Sequence, residues 1–317
     1  MIAKGFEKLI EIENGYMIEA KNASIKVIAL TDEIIRVRVS FDRKFVESSY
    51  ALVTTAWDDN LDELFADERK RIEAAKLECT EDDKKIVFKT KKYILTLRKA
   101  TLSFTLEDIF GDIIYKDLKE RAFDKDYLGR VSHYSLLDVE KDHFYGFGEK
   151  TGHLDKKGRR LRMNPKDAIG HNPETGEPLY KHIPFYIRIN EDIKKPLGLF
   201  YNNSYDAVFD MYNEISGYWD RYTYYQAEGG DIDLFFIAGE SIKDVVDNYT
   251  YLTGRSAMPT KQEMGFTAST MYYAELEENC DEEIYKVIKK HFDEKIYIDN
   301  FWLASGYSSG EEDNLRY

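Results

Sequence analysis

The chain has 317 residues, 59 acidic and 45 basic, for a formal charge of −14; 43% are hydrophobic and 14% aromatic. That is enough apolar material for a large packed core, and it excludes a disordered chain. The acidic balance argues against a nucleic-acid or anionic-membrane surface, since both need Lys and Arg patches, and the length predicts one large all-β domain or two domains.

Residues 1–20 lack an apolar h-region and carry Glu7, Glu11 and Glu13, which argues against a signal peptide. No stretch approaches the roughly 20 apolar residues of a membrane span, so a soluble, cytoplasmic chain is expected. Apolar and polar residues alternate from Ile35 to Phe41, which predicts a strand with one buried face. For 61–76, both helix and strand stay open. Cys79 is one of two cysteines; the other, Cys280, is far away in sequence, so neither a disulfide framework nor zinc spacing is present. Residues 84–90 read as a strand, and Tyr93–Leu97 and Leu102–Leu106 as a hairpin. Strands are also predicted at 183–190, 197–201 and 232–237, and many short strands separated by turns suggest a sandwich or barrel.

The pattern changes near residue 240. Ser241 and Asp244 fit an N-cap with an acid at N3. Val245, Val246, Tyr249 and Leu252 then share a helical face, and Gly254 is a plausible stop. Met264–Ala268 reads as a short buried strand. Asp281–Lys295 reads as a helix with Ile284, Val287, Ile288, His291 and Phe292 on one face, and Ile296–Leu303 as a second buried strand. Such a strand–helix–strand unit predicts parallel neighbours with a right-handed crossover.

Phosphate-loop, dinucleotide, H-E-x-x-H and G-x-S-x-G motifs are all missing. His153 and His171 read as ordinary surface residues, and His291 as part of a helical face. The unusual segment is 144–187, a long loop rich in Gly, Pro and charge between two aromatic strands. Loops of this length in a compact domain are usually functional or disordered. Arg159, Arg160, Arg162, Asn164, Asp167 and His171 offer donors and acceptors suited to hydroxyl-rich ligands. Asp142 and Glu149 form a carboxylate pair that nothing in the sequence marks as catalytic.

Three ordered blocks carry a resemblance. The first is Phe144-Tyr145-Gly146-Phe147-Gly148-Glu149-Lys150, followed by Gly158-Arg159-Arg160, Asp167-Ala168 and the run Pro178–Phe185. The second runs from Tyr251-Leu252-Thr253-Gly254-Arg255 to Met264-Gly265-Phe266, and the third from Asp299 to Tyr307. Over roughly 40–317 the chain resembles glycoside hydrolase family 31, the α-glucosidases, α-xylosidases and related retaining α-glycosidases.

The resemblance implies a mainly β chain, with a galactose-mutarotase-like β-sandwich over 1–240 and a linker helix and connection over 241–258. A (β/α)8 TIM barrel would start at 259–317. Residues 256–317 are far fewer than the about 250 such a barrel takes, so the barrel is expected to be incomplete here. The family's two catalytic aspartates would lie beyond Tyr317; no catalytic residue is assigned, and the chain alone is expected to be inactive. Three substrate contacts carry over. Asp167 matches the aspartate on the sandwich loop over the barrel mouth. Met271 falls near an aromatic position of the pocket wall, although Thr270-Met271-Tyr272-Tyr273 departs from the family's Arg-Tyr-Gly-Tyr-like pattern. Ser305, after Ala304, stands where many members carry an aspartate for the outer hydroxyls; its absence removes a charge-assisted acceptor. An α-linked oligosaccharide is the expected partner and no cofactor is implied; self-association stays open.

Two other classes stay open on the sequence. With 24 Tyr, 18 Phe and 3 Trp, the sandwich could be a non-catalytic carbohydrate-binding or oligomerisation module that stacks on sugar. A free-standing aldose epimerase would need a histidine acid and a glutamate base facing one sugar, and would leave the unit after 255 without a place.

Overall fold

The computed structural model describes residues 1–59, 61–65, 69–166, 168, 170–274, 276 and 278–303. Its contacts divide the chain into two units, Met1–Arg255 and Ser256–Tyr317.

The first unit is built on an eight-stranded antiparallel sheet. Its spatial order is Phe6–Ile12, Gly15–Ala20, Ala23–Ala29, Ile34–Ser40, Ile232–Ala238, Leu197–Tyr201, His182–Asn190 and Asp142–Gly148. Two five-stranded sheets accompany it. One runs from Ile113–Lys116 through Ser103–Asp108, Tyr93–Arg98 and Lys85–Lys89 to Glu78–Glu81. The other runs from Phe123–Lys125 through Val131–Leu136, Tyr222–Ala227 and Ala207–Asp210 to Arg160–Met163. All three contribute to one core; Val37, Leu199 and Leu234 join Phe88, Leu97, Phe104, Phe209 and Tyr225. The predicted hairpin is present, with Ser103 opposite Arg98 and Asp108 opposite Tyr93.

The alternation in Ile34–Ser40 implied one buried face, but every residue of that strand is buried. Ile35, Val37 and Val39 enter the shared core. Arg36 and Arg38 point to the opposite side, where Phe45, Val46, Glu47 and Trp57 meet them. Arg36 grips Asp233 with Nε on one carboxylate oxygen and NH2 on the other, both at 2.7 Å. Arg38 Nε donates to Asp231 at 2.8 Å, and Glu47 bridges the two guanidinium groups. Trp57 lies 3.9 Å from the Arg36 guanidinium. Asp233 sits on the neighbouring strand and Asp231 just before it, so the polar stripe is satisfied rather than solvated.

The same outer face of the sheet carries a second apolar cluster, with Phe185, Ile187, Phe200, Phe235 and Ile237 against Val245 and Leu252 of the Ile242–Thr253 helix. Ser241 caps that helix in a reciprocal box with Asp244, and Gly254 ends it at φ 103°. Val246, placed on the buried face by sequence, is exposed because it lies about 100° around the helix from Val245. The open choice at 61–76 resolves into both forms, a one-turn helix at Asp62–Phe65 and a short strand at Lys70–Arg71 parallel to Thr54–Thr55.

In the second unit, Thr267–Thr270 and Asn300–Leu303 pair in parallel through the helices Met271–Ala274 and Cys280–Asp293. Both strands are shorter than predicted. The apolar run at Met264 first crosses a turn, in which the N–H of Gly265 donates to the Gln262 carbonyl. The run at Ile296 begins as a helix exit, with the Ile296 N–H on the His291 carbonyl. On the predicted face of the long helix, Ile284, Val287, Ile288 and His291 are only half-buried, and Phe266, Phe292, Trp302 and Leu303 are exposed. Among the described residues no helix is long and apolar enough to cross a membrane.

Candidate functional site

The loop between Asp142–Gly148 and His182–Asn190 starts from a distorted strand end. Gly146 and Gly148 have φ of 121° and 80°, and Phe147 between them has φ 72°. The register shifts across them. A Cβ on Gly146 would stand 2.9 Å from the Phe185 carbonyl oxygen, so the close approach requires glycine. The twist turns Phe147 fully into the core, stacked at 5.0 Å on Tyr186. The Tyr-Gly-Phe-Gly-Glu motif is therefore a bulge that launches the loop.

Side chains then staple the loop stem. Glu149 accepts the backbone N–H groups of Tyr180 and Lys181. Lys150 has no exposed side-chain surface; its Nζ donates to the Arg162 carbonyl at 2.6 Å and to Glu177 Oε1 at 2.7 Å. Glu177 Oε1 also takes the Arg162 N–H, and Thr151 donates to the Gly176 carbonyl. Burial pulls the Lys150 ammonium below its ordinary range, against the attraction of Glu177. Burial and the nearby Lys150 charge likewise hold His182 down. Lys150 thus joins the start, the middle and the end of the loop at one point. Replacing it with methionine removes both hydrogen bonds and leaves the Glu177 carboxylate without its cation. We expect a local loss of about 1–3 kcal/mol, read as faster amide hydrogen exchange over 170–182. Unchanged exchange there would contradict the stapling role.

A second staple holds the other side. His143 Nδ1 meets Asp155 at 2.7 Å and Nε2 meets Glu191 at 3.0 Å, while Asp155 also accepts the N–H groups of Phe144 and Lys157. The Asp155 hydrogen bond raises the His143 pKa, against partial burial and with help from Glu191. A histidine raised on folding stabilises fully below its unfolded value of about 6.5 and loses that contribution as pH climbs through the folded value above it. The melting advantage of the wild-type chain over His143→Gln should therefore shrink from about pH 6 to pH 8. A pH-independent difference would contradict the assignment.

The structure describes one of the three carried-over contacts. Met271 opens the Met271–Ala274 helix directly after Thr267–Thr270 and is 54% exposed, so it is not a core residue here. Asp167 and Ser305 lie outside the described residues. Asn164 donates to Asp206, while His153 and His171 are exposed. Asp142 and Glu149 do not form a catalytic pair: Asp142 is buried among Arg188, Asn190 and the Asp138 N–H, and Glu149 is spent on the loop. No sequence signal marks the staples; Lys150 and Glu177 stand out only as charges, 27 positions apart.

An aldose epimerase would need an accessible histidine acid, and His133 does not supply one. His133 is fully buried in a closed network, with Nδ1 2.8 Å from the Tyr201 hydroxyl and Nε2 2.8 Å from Asp117, and Phe123 stacked on its ring. Among the described residues no cluster of His, Cys, Asp and Glu is arranged to hold a metal ion.

Residues 24–210 match the profile of the glycosyl hydrolase 31 N-terminal galactose mutarotase-like domain. The chain belongs to glycoside hydrolase family 31. It is 29% identical over 301 residues to α-glucosidase 2 of Bacillus thermoamyloliquefaciens, which covers 94% of this chain and 34% of that protein. It is 32% identical over 137 residues to an α-glucosidase of Saccharolobus solfataricus, covering 43% of this chain and 19% of that one. The fold resembles a family 31 dextranase of Flavobacterium johnsoniae, solved with isomaltotriose, at a TM-score of 0.82 and 22% identity over 99% of this chain and 35% of that chain. The chain thus spans about a third of the length of these longer relatives. The mainly β, galactose-mutarotase-like N-terminal domain is the part of the expected architecture that family membership establishes.

Proposed function

We propose that this chain is the N-terminal portion of a retaining α-glycosidase that hydrolyses O-glycosidic bonds of α-linked glucosides or related oligosaccharides in the cytoplasm. The observation that carries the reading is the similarity to α-glucosidase 2 along 94% of the chain. The stapled loop at 149–181 supports it, because a long polar loop held at its stem can present side chains to a sugar without paying a large ordering entropy.

In this reading, residues 1–240 are the sandwich, 241–258 the connection and 259–317 the first strand–helix–strand part of the (β/α)8 barrel. Retaining hydrolysis needs a nucleophilic carboxylate and an acid/base carboxylate about 5–5.5 Å apart, with environments that keep one ionised and the other protonated. Both would come from barrel strands following Tyr317, so the 317-residue chain alone would be inactive. Asp167, Met271 and Ser305 would contact the sugar, Asp167 as a charge-assisted acceptor for hydroxyls. In the complete protein, Asp167→Asn should lower kcat/KM for p-nitrophenyl α-glucoside by about tenfold or more, with the melting temperature unchanged. Unchanged kcat/KM would remove Asp167 from the sugar site.

A further inference from the structure

Beside the loop stem, the sandwich opens a cleft of about 480 Å³, within the roughly 300–1,000 Å³ range of small-ligand sites. Phe200 and Tyr249 line it with rings 5.4 Å apart in edge contact. Ser204, Tyr205 and Asp206 form one exposed wall.

Tyr205 is 56% exposed, yet its ring is fixed in place. One face lies on Gly229 and Gly230, where added Cβ atoms would stand 2.9 Å and 3.3 Å from ring carbons. Gly230 also has φ 80°, so both the close approach and the backbone favour glycine. The Tyr205 N–H donates to Asn203 Oδ1 at 2.8 Å, and Asn203 Nδ2 donates to the carbonyls of Gly229 and Asp231, both at 3.0 Å. The turn that bears the ring is thereby stitched to the turn beneath it. A tyrosine locked this way offers a large amphipathic contact surface at little further entropic cost.

The polar groups beside the ring are available. Asn164 occupies one carboxylate oxygen of Asp206, and among the described residues the other oxygen and the Ser204 hydroxyl have no partner. A rigid aromatic face next to a free carboxylate oxygen and a free hydroxyl matches a pyranose, which has an apolar C–H face and a rim of hydroxyl donors. The net charge of −14 disfavours an anionic occupant.

The geometry points to a binding site for a neutral pyranosyl unit of an oligosaccharide, stacked on Tyr205 and hydrogen-bonded by Asp206 and Ser204. The choice of α-gluco-oligosaccharides as probes rests on the proposed function; the stacking geometry does not.

Calorimetric titration of the 317-residue chain with isomaltotriose and with maltotriose tests it. Saturable binding to at least one sugar is expected. Tyr205→Ala and Asp206→Ala should each weaken it about tenfold, while Tyr205→Phe keeps the ring and most of the affinity. Melting curves of the variants should overlay that of the parent, since these side chains are exposed. Absence of saturable binding to both sugars, or undiminished binding by Tyr205→Ala, would overturn the site. If the chain fails to bind while the complete protein cleaves α-glucosides, only the cleft is lost. If it binds while the complete protein is inert, the catalytic reading is lost and the cleft stands.

Discussion

Asp233→Ala should unfold the sandwich at much milder conditions than any surface change. Asp233 is 2% exposed and takes both arms of the buried Arg36 guanidinium, the Asn202 amide and a longer contact from Arg38. Removing the carboxylate strands guanidinium charge beside Trp57 and Phe235, where Arg36 is only 1% exposed. Deleting one partner of a buried pair costs about 3–5 kcal/mol, which for a domain of this size lowers the melting temperature by about 6–20 °C. That is a large share of the 5–15 kcal/mol typical of a folded domain. Urea unfolding followed by circular dichroism reads the loss. Asp231→Ala is the comparison: Asp231 is less buried, and Arg38 keeps Glu47 and the Val46 carbonyl, so a smaller loss is expected. Equal losses would contradict the view that Asp233 is the pivot of the network.

The same carboxyl gives the effect a pH sign. Burial works against its ionisation, but Arg36 and Arg38 outweigh burial and hold it below the ordinary carboxylate range. Its contribution is complete above the unfolded value of about 3.9 and is lost as pH falls through the lower folded value. Acid unfolding of the parent should therefore include a transition at low pH that Asp233→Ala lacks.

Where one physical rule acts alone, the sequence could be read directly. The 93–108 hairpin follows from period-two alternation, and the 242–253 helix from its cap, apolar face and terminal glycine. The reading failed where two rules compete. Arg36 and Arg38 look like a solvent face because alternation cannot reveal that Asp233 lies on the adjoining strand and Asp231 just before it, about 195 positions away. The apolar run at Met264 looked like a strand, but a backbone turn occupies its first residues. At the loop, the glycine motif and the flanking aromatics were visible, while the Lys150–Glu177 staple depends on a long-range meeting that spacing does not encode. Of the proposed contact residues, Met271 was legible only through family resemblance, because an exposed methionine after a short strand has no chemical signature of its own.

In the proposed function, this chain is the opening of an α-glycosidase whose reacting carboxylates would lie on later barrel strands. Loss of both carboxylates removes nucleophile and acid together, so the expected difference is the whole catalytic effect rather than a fraction of it. The most direct measurement compares p-nitrophenyl α-glucoside hydrolysis by the 317-residue chain and by the protein encoded by the complete reading frame. The proposed function requires no turnover above background from the first and clear turnover from the second. Hydrolysis by the 317-residue chain itself, or an inert complete protein, would contradict it.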